Sequence, residues 1–395
     1  MITVEEAYQI INAHAKDFGI EKIPLLQSLN RTLATDIIAD RDFPPYDRVT
    51  MDGIAINSKT FAAGKRKFYI ESISAAGSPA NTLHNEEHCI EVMTGAVLPE
   101  QADTVIPYEQ CGIEDGFATI TTDDIKAFQN IHRQGTDEKQ GSILIEKFIR
   151  VTPAHLSVMA TVGMSETIVY KLPRIAICST GDELVAVTET PLPHQIRQSN
   201  LYFLAADLLQ ENIVASLHHL PDEKEKMKWQ LNEILRSHDA IFLSGAVSKG
   251  KFDFLPEVLN ELGMTTLFHQ VAQRPGKPFL FGTIENKMIF GFPGNPVSTF
   301  VCYHLYGKHW LQKCLYGERK KLSAKLLQPV SALASLCYHL LVKLTYADGI
   351  CGANPIFSST SGDIQALTKA DGIISLPAGK RNFETGEVFE VVLCR

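Results

Sequence analysis

The chain has 395 residues and a mass of 43.7 kDa, which predicts roughly two to four domains instead of one compact core. Its formal net charge of −8 argues against nucleic acid as the main partner, because phosphate backbones favour basic faces. No apolar run approaches the roughly 18 residues that span a bilayer, so no membrane partner is expected. The eight cysteines lack a C-x-x-C pair, which is typical of reduced thiols in a cytoplasmic protein.

The first part of the chain predicts a helix followed by many short strands. Thr3 and Glu6 have the spacing of a capping box, and apolar residues then recur at helical spacing. After residue 45 the segments "MDGIAI", "KFYIES", "CIEVMTG", "TVIPYEQ" and "FATITT" alternate with turn residues. They predict a β-rich insert domain at 46–139.

A second helical stretch, "VTPAHLSVMATVGM", follows at 151–164. We group it with the N-terminal helix, which predicts an elongated helical linker domain made of residues 1–45 and 140–172.

From residue 173 onward, strands alternate with helices. Apolar segments such as "RIAICST" and "DAIFLSG" precede helical segments such as "SNLYFLAADLLQEN" and "FLPEVLNELG". This order predicts a doubly wound, mostly parallel α/β domain at 173–318. The segments "LLVKLTY", "IQALTK", "GIISLP" and "EVFEVVL" then predict a small β-barrel or sandwich at 319–395.

Five polar loops follow the strands of the predicted sheet. Because the carboxyl ends of parallel strands meet at one edge, and ligands bind there, these loops form the candidate site. Any one of them alone is also explained as an ordinary turn. The chemical candidates in these loops are Glu183, Asp222, Asp253, Arg274, Lys277, Asn295 and Ser298.

The candidates have complementary chemistry. Arg274 and Lys277 can hold a phosphate or another oxyanion, and a helix that opens at Asn295-Pro296 adds a positive dipole end. The acids Glu183, Asp222 and Asp253 would repel that anion unless a hard cation lay between them, which predicts a Mg²⁺ site. For Asp253 the alternative is that it only caps the next helix.

Familiar nucleotide and hydrolase signatures are absent from the sequence. There is no G-x-x-x-x-G-K-[ST] loop, no G-x-G-x-x-G fingerprint and no G-x-S-x-G elbow.

The motifs resemble those of one family. "MDGIAI", "VMTGAVLP", "STGDEL", "SGAVSKGKFDF", "RPGKP" and "FPGNPVS" occur in the order found in molybdopterin molybdenumtransferases, the MoeA family that includes the gephyrin E-domain. The resemblance covers nearly the whole chain. It implies four domains, a homodimer, transient contact with the molybdopterin adenylyltransferase, and Mg²⁺-dependent insertion of molybdate into adenylylated molybdopterin with release of AMP.

The resemblance also implies roles for individual residues. In and near the β-rich insert it points to Asp52, Thr94 and Asp137. In the α/β domain and the last domain the matching positions are Glu183, Asp222, Asp253, Arg274, Lys277, Pro293, Pro296 and Ser361. Of these, Asp52 and the three acids Glu183, Asp222 and Asp253 are the expected catalytic residues.

Five positions depart from the family pattern as we know it. Val49 replaces a serine, Ala246 a glycine, His132 an arginine, Gln270 a lysine found in some members, and Arg274 a common lysine. Because His132 and Gln270 remove positive charges, the chain could also be a tungstate-specialised or inactive paralogue of the family. A non-enzymatic scaffold like the gephyrin E-domain is a further alternative. The molybdopterin adenylyltransferase is another alternative, because it has the same α/β fold. It needs only that one domain, so the "MDG" and C-terminal domains of this chain argue against it.

Overall fold

The structure is a computed structural model that describes residues 1–245, 254–316, 322–357 and 360–394. The chain divides into two compact units. The first comprises Met1–Ala34, Phe148–Thr152 and Glu166–Arg395, and the second Thr35–Lys147 and Pro153–Ser165. The division into four domains stays a prediction. Among the described residues, no helix has the length and apolar character needed to cross a bilayer.

A six-stranded sheet forms the centre of the first unit. In spatial order its strands are Ser216–Leu220, Ile175–Thr180, Ala240–Ser244, Lys287–Phe292, Pro278–Ile284 and Thr265–Gln270. The first four run parallel, and Pro278–Ile284 runs antiparallel to both of its neighbours. Strands such as Ala240–Ser244 are buried along their whole length, as expected where helices cover both faces of a parallel sheet. The prediction of a mostly parallel α/β sheet is confirmed.

The helices between residues 173 and 318 follow the predicted alternation, and Val4–Ala13 and Ile364–Lys369 lie outside it. The helices of this unit span Val4–Ala13, Ser199–Gln210, Lys224–Ser237, Leu255–Glu261, Pro296–Cys302, Lys308–Tyr316 and Ile364–Lys369. Thr3 and Glu6 form the predicted capping box of the first helix. The predicted single helix after Asn295 contains a π-helical turn, Tyr303–Gly307, between its two α-helical parts.

The carboxyl-terminal strands close into a small β-barrel. In order they are Gln273–Arg274, Cys337–Ala347, Ile350–Pro355, Leu322–Leu326, Val388–Leu393 and Gly372–Leu376, and the last also pairs with Cys337–Ala347. The barrel is therefore the correct one of the two predicted alternatives. The segment "IQALTK" is not one of its strands: Ile364–Lys369 is a helix, because the Asp363 carboxylate accepts hydrogen bonds from the first backbone N–H groups of that turn.

Short elements complete the first unit. Ile20–Pro24 pairs with Glu166–Tyr170, Leu184–Val185 with Ile196–Arg197, and Val330–Ser331 with Asn382–Phe383, and Leu25–Ser28 is a 3₁₀ turn.

The second unit contains the predicted β-rich sheet. Its six strands, in order, are Thr104–Pro107, Gly53–Ile56, His88–Val92, Lys67–Ser74, Phe117–Ile120 and Cys111–Glu114. The last of these was not predicted. It forms a hairpin around Asp115-Gly116, both at positive φ, as expected for a tight Asp-Gly turn. The remaining elements are the pairs Ile37–Ile38 with Ile143–Ile145 and Arg48–Val49 with Ile131–His132, the helices Ser58–Ala62 and Pro153–Thr161, and the turn Tyr108–Gln110.

Candidate active site

Two acidic loops meet at the carboxyl edge of the α/β sheet. Asp182 and Glu183 follow one strand, and Asp222 follows the adjacent parallel strand. The Asp182 N–H donates to Asp222 Oδ2 over 3.2 Å, and the Asp222 N–H donates to Asp182 Oδ1 over 3.3 Å. Burial raises the pKa of Asp222, and the charges of Asp182 and Glu183 raise it further. Negative charge is thus concentrated where the two loops join.

The described acids alone do not form a complete metal site. Within the four described ranges, no group of three His, Cys, Asp or Glu side chains is arranged to hold a metal ion. Asp253, the third predicted acid, lies outside the described residues. The oxygen donors of Glu183 and Asp222 nevertheless match Mg²⁺, which takes few protein carboxylates and retains several waters. Magnesium binding by Glu183 and Asp222 therefore stays a prediction, and their carboxylate oxygens are suitable ligands for it.

A cavity of about 420 Å³ lies in the first unit, and its wall includes the barrel strand Cys337–Ala347. Six of the residues predicted from the sequence line it together: Arg274, Lys277, Pro293, Asn295, Ser298 and Ser361. Pro296 is the first residue of the helix that begins beside them. The structure therefore gathers the predicted basic and hydroxyl side chains around one space.

The two basic side chains of the cavity are available to a ligand. Arg274 and Lys277 are both exposed, and neither forms an ion pair or hydrogen bond through its side chain with any other residue that the structure describes. A cavity lined by two positive charges suits a small anion or the anionic part of a larger ligand.

Ser361 fixes the helix start next to these charges. The Asn295 side-chain amide donates to Ser361 Oγ over 2.8 Å, and the Val297 N–H donates to the Ser361 carbonyl over 3.0 Å. The neighbouring Ser298 is buried. The serine of the family motif "TSGD" therefore has a structural role here: Ser361 joins the segment that contains it to the "FPGNPVS" loop.

Several polar residues of the site were not predicted. The Asn200 amide nitrogen lies 2.7 Å from the Gly294 carbonyl and 2.9 Å from Ser244 Oγ, so it links the central strand to the loop before Pro296. Gln273 and His339 are buried and also line the cavity. Their only signal in the sequence is a polar residue inside an apolar segment, a pattern that ordinary half-buried strands also produce.

In the second unit, Asp52 and Thr94 contact each other directly. The Thr94 N–H and Oγ1 both donate to Asp52 Oδ1, over 2.6 and 2.7 Å, and these bonds lower the pKa of Asp52. The next residue, Gly53, is needed for close strand approach, because a Cβ there would lie 1.9 Å from the Ile106 carbonyl oxygen. Two hydrogen bonds from Thr94 therefore hold the Asp52 carboxylate in place directly before a strand.

Asp137 has different partners in the same unit. Arg48 Nη2 lies 3.1 Å from His132 Nδ1, and His132 Nε2 lies 2.8 Å from Asp137 Oδ1. Since a guanidinium can only donate, Nδ1 accepts, and Nε2–H donates to the carboxylate. His132, one of the departures from the family pattern, thus orients Asp137.

Comparison with known proteins assigns the family. A molybdopterin molybdenumtransferase of Synechocystis is 37% identical over 394 residues, which cover 98% of this chain and 99% of the relative. The chain belongs to the MoeA family. A molybdopterin molybdenumtransferase of Bacillus subtilis is 30% identical over 407 residues, covering 100% of this chain and 94% of the relative.

Family models and solved structures agree with this assignment. The MoeA N-terminal region (domain I and II) matches residues 2–163, the "Probable molybdopterin binding domain" residues 176–313, and the MoeA C-terminal region (domain IV) residues 324–394. The crystal structure of a molybdopterin biosynthesis MoeA protein from Pyrococcus horikoshii has a TM-score of 0.86 at 28% identity and covers 100% of this chain and 99% of that one.

The departures from the MoeA pattern occupy different environments. Val49 is fully buried in an apolar cluster, where a serine would bury a hydroxyl. Gln270 is half-buried at the end of an edge strand, and its carbonyl accepts the Ile2 N–H. Arg274 lines the cavity, and Ala246 lies outside the described residues. Of the positions that the structure describes, only Val49 replaces a polar residue with an apolar one.

Proposed function

We propose that this chain is a transferase of molybdenum cofactor biosynthesis, which inserts molybdate into adenylylated molybdopterin with release of AMP. The observation that carries the proposal is the cavity in which Arg274 and Lys277, which have no ion-pair partner in the described part of the chain, lie beside the hydroxyls of Ser298 and Ser361. Two relatives named molybdopterin molybdenumtransferases match it along nearly the whole length. A pure scaffold would have no need of a cavity lined by two basic side chains or of acids clustered at the carboxyl edge of the sheet.

Each group has a defined task in this proposal. Arg274 and Lys277 orient the anion, and the serine hydroxyls donate to its oxygens. Glu183 and Asp222 would hold Mg²⁺, and Asp253 is the third acid expected from the sequence. When bound, Mg²⁺ supplies positive charge that offsets the charge of the substrate phosphates.

The proposal is tested by release of AMP. Purified protein supplied with adenylylated molybdopterin, molybdate and Mg²⁺ should produce AMP, and omission of either ion should abolish the product. Molybdate and tungstate are both tetrahedral dianions, so shape and charge do not distinguish them. Adding tungstate in competition and comparing the rates of AMP release shows which oxyanion the protein prefers. Absence of AMP with every combination of ions would contradict the proposed activity.

Lys277→Ala should raise the apparent Kd for molybdate about tenfold, which corresponds to about 1.4 kcal/mol. The physical reason is loss of one of two positive charges that line the cavity. Isothermal titration with molybdate measures the change. Lys22→Ala is the matched control, because Lys22 pairs with Glu166 on an exposed ribbon of the same unit; an equal loss in both variants would show that the effect is only one of net charge.

We further propose that the protein forms a homodimer and that it receives its substrate by transient contact with the molybdopterin adenylyltransferase. The homodimer follows from the family resemblance and from the closed symmetry that most soluble homo-oligomers adopt. Light scattering should give twice the chain mass of 43.7 kDa. A monomer mass at the concentrations of the activity assay would refute the dimer.

A further inference from the structure

Three buried polar side chains are hydrogen-bonded to one another next to the loop that carries Arg274 and Lys277, and two of them, Gln273 and His339, also line the cavity. Gln273 and Tyr306 are fully buried and His339 is 2% exposed. Gln273 immediately precedes the loop, His339 lies on the barrel strand Cys337–Ala347, and Tyr306 lies in the π-helical turn. None of them has a role in the proposed chemistry. Burying three polar groups is costly unless each is hydrogen-bonded, so their connections determine whether the arrangement is stable.

Their hydrogen bonds meet at the Gln273 amide. Its oxygen accepts from Tyr306 Oη and lies 3.0 Å from His339 Nε2. Its nitrogen donates to the Gly276 carbonyl over 2.9 Å and to Cys302 Sγ over 3.4 Å. The amide is thereby saturated, with two bonds to its oxygen and two from its nitrogen.

The proton positions follow from this arrangement. An amide oxygen can only accept, so His339 Nε2 carries the proton, and Nδ1 accepts from Ser375 Oγ 2.8 Å away. Burial lowers the pKa of His339 to about 3, so the ring stays neutral at physiological pH. A rotated Gln273 amide would direct its NH₂ at two donors, so the network allows one orientation.

That orientation determines the shape of the loop. Gly276 lies between Arg274 and Lys277 at φ +81°, and a Cβ there would lie 2.3 Å from Cys302 Sγ. The loop is further tied by the Lys277 carbonyl, which accepts the Val271 N–H over 3.0 Å, and by parallel pairing of Gln273–Arg274 with the barrel. Since the two basic side chains have no described partner of their own, the backbone sets their separation.

We propose that Gln273, Tyr306 and His339 are positioning residues, which hold the loop 274–277 in the conformation that binds the anion. The inference rests on the proposed function, because it assigns to the barrel the task of shaping that function's anion site. It makes the barrel strand a support for the anion loop, joined to it through the Gln273 amide as well as through the backbone pairing of Gln273–Arg274.

The test compares two neutral replacements of similar size. His339→Gln can still donate to Gln273 Oε1, whereas His339→Leu cannot, so the Kd for molybdate should stay within about twofold in the first and rise about tenfold in the second. Tyr306→Phe should produce a smaller rise. Tyr303→Phe is the control, because it removes a buried hydroxyl from the same turn that contacts Asp207 instead of Gln273.

Three measurements separate this role from general destabilisation. Kd for molybdate, tungstate and inorganic phosphate comes from titration, the melting temperature is recorded for each variant, and KM and kcat come from AMP release. We expect KM for molybdate to rise in His339→Leu, while the Mg²⁺ concentration for half-maximal rate stays unchanged. Tyr303→Phe should lower the melting temperature and leave Kd as in the unmodified protein.

The outcomes for the two proposals differ. Normal anion binding by a folded His339→Leu variant, or equal losses in His339→Leu and His339→Gln, would overturn the positioning role while AMP release by the unmodified protein still supports the activity. Selective loss of anion binding in His339→Leu, with no AMP release by the unmodified protein, would support the positioning role and contradict the activity. No anion binding by the unmodified protein would overturn both.

Discussion

Asp222→Asn should lower the rate of AMP release by about 100-fold or more, the loss typical when a group that stabilises transition-state charge is removed. Asp222 lies where the backbone N–H of each of two acidic loops donates to an aspartate carboxylate of the other, beside the charges of Asp182 and Glu183. An amide has nearly the same shape as the carboxylate but carries no charge for Mg²⁺. The expected loss therefore reports on the charge, and kcat at saturating Mg²⁺ is the quantity to measure.

The same Asp222→Asn substitution that lowers activity should not lower the stability of the fold. Burial raises the pKa of Asp222 above its unfolded value, so the folded state binds the proton more tightly, and this contribution to stability is lost as the pH rises through the folded pKa. At neutral pH the ionised carboxylate thus opposes folding. Without Mg²⁺, Asp222→Asn should melt at least as high as the unmodified protein. Adding Mg²⁺ should raise the melting temperature of the unmodified protein more than that of the variant.

Asp239→Asn is the matched control for this experiment. Asp239 precedes the central strand at the opposite edge of the same sheet, where it pairs with Arg174 over 3.1 Å. Its replacement should lower stability and leave the Mg²⁺ dependence of turnover unchanged. If Asp222→Asn keeps full activity at low Mg²⁺, the carboxylate has no role in metal binding.

The α/β domain was predictable because its strands are covered on both faces. That burial requires apolar runs such as the one at Ala240–Ser244, and alternation with helices then determines a parallel sheet. The topology also placed the acidic loops at Glu183 and Asp222 on one edge. The sequence therefore predicts the fold correctly where buried strands require apolar runs that can be recognised in a short segment.

Local patterns failed where a single contact decides the structure. Ile364–Lys369 has a composition compatible with a strand, but the Asp363 carboxylate caps it as a helix. The π-helical turn Tyr303–Gly307 has no periodicity of its own within a longer helix. Such choices depend on one side chain or on tertiary packing, which a window of sequence does not contain.

The support of the candidate site could not be predicted for a related reason. Gln273 and His339 are 66 residues apart, and Tyr306 is 33 residues from Gln273. Each reads as an isolated polar residue in an apolar segment. Only the folded chain shows that Tyr306 and His339 both contact the oxygen of the Gln273 amide, whereas exposed loop residues such as Lys277 were predictable from their motif.

Asp207→Ala should lower the free energy of unfolding by about 3–5 kcal/mol, the cost of leaving a buried charge without its partner. Asp207 and Lys308 are 5% and 8% exposed, and Lys308 Nζ lies 2.8 Å from Asp207 Oδ1. Tyr303 Oη donates to the other carboxylate oxygen over 2.6 Å. The alanine would leave the Lys308 ammonium group and the Tyr303 hydroxyl without their shared carboxylate at a buried position.

The ion pair joins two segments that reach the candidate site. Asp207 lies on Ser199–Gln210, the helix that carries Asn200, and Lys308 begins the helix that continues the segment from Pro296. Packing alone holds helices with some freedom to slide, whereas a charge pair with a hydrogen-bonded tyrosine fixes their register. Loss of the pair should therefore also weaken the contact of Asn200 with Gly294.

Two further variants separate the effect of the ion pair from that of its surroundings. Lys308→Met alone should destabilise less than Asp207→Ala, because Asp207 keeps the Tyr303 hydroxyl. Asp207→Leu, Lys308→Met and Tyr303→Phe combined should restore most of the stability, since well-packed apolar residues often replace a buried ion pair without loss. Urea denaturation gives each free energy. A loss of less than about 1 kcal/mol for Asp207→Ala, as in an exposed pair, would mean that water reaches Lys308 and that the pair does not fix the two helices.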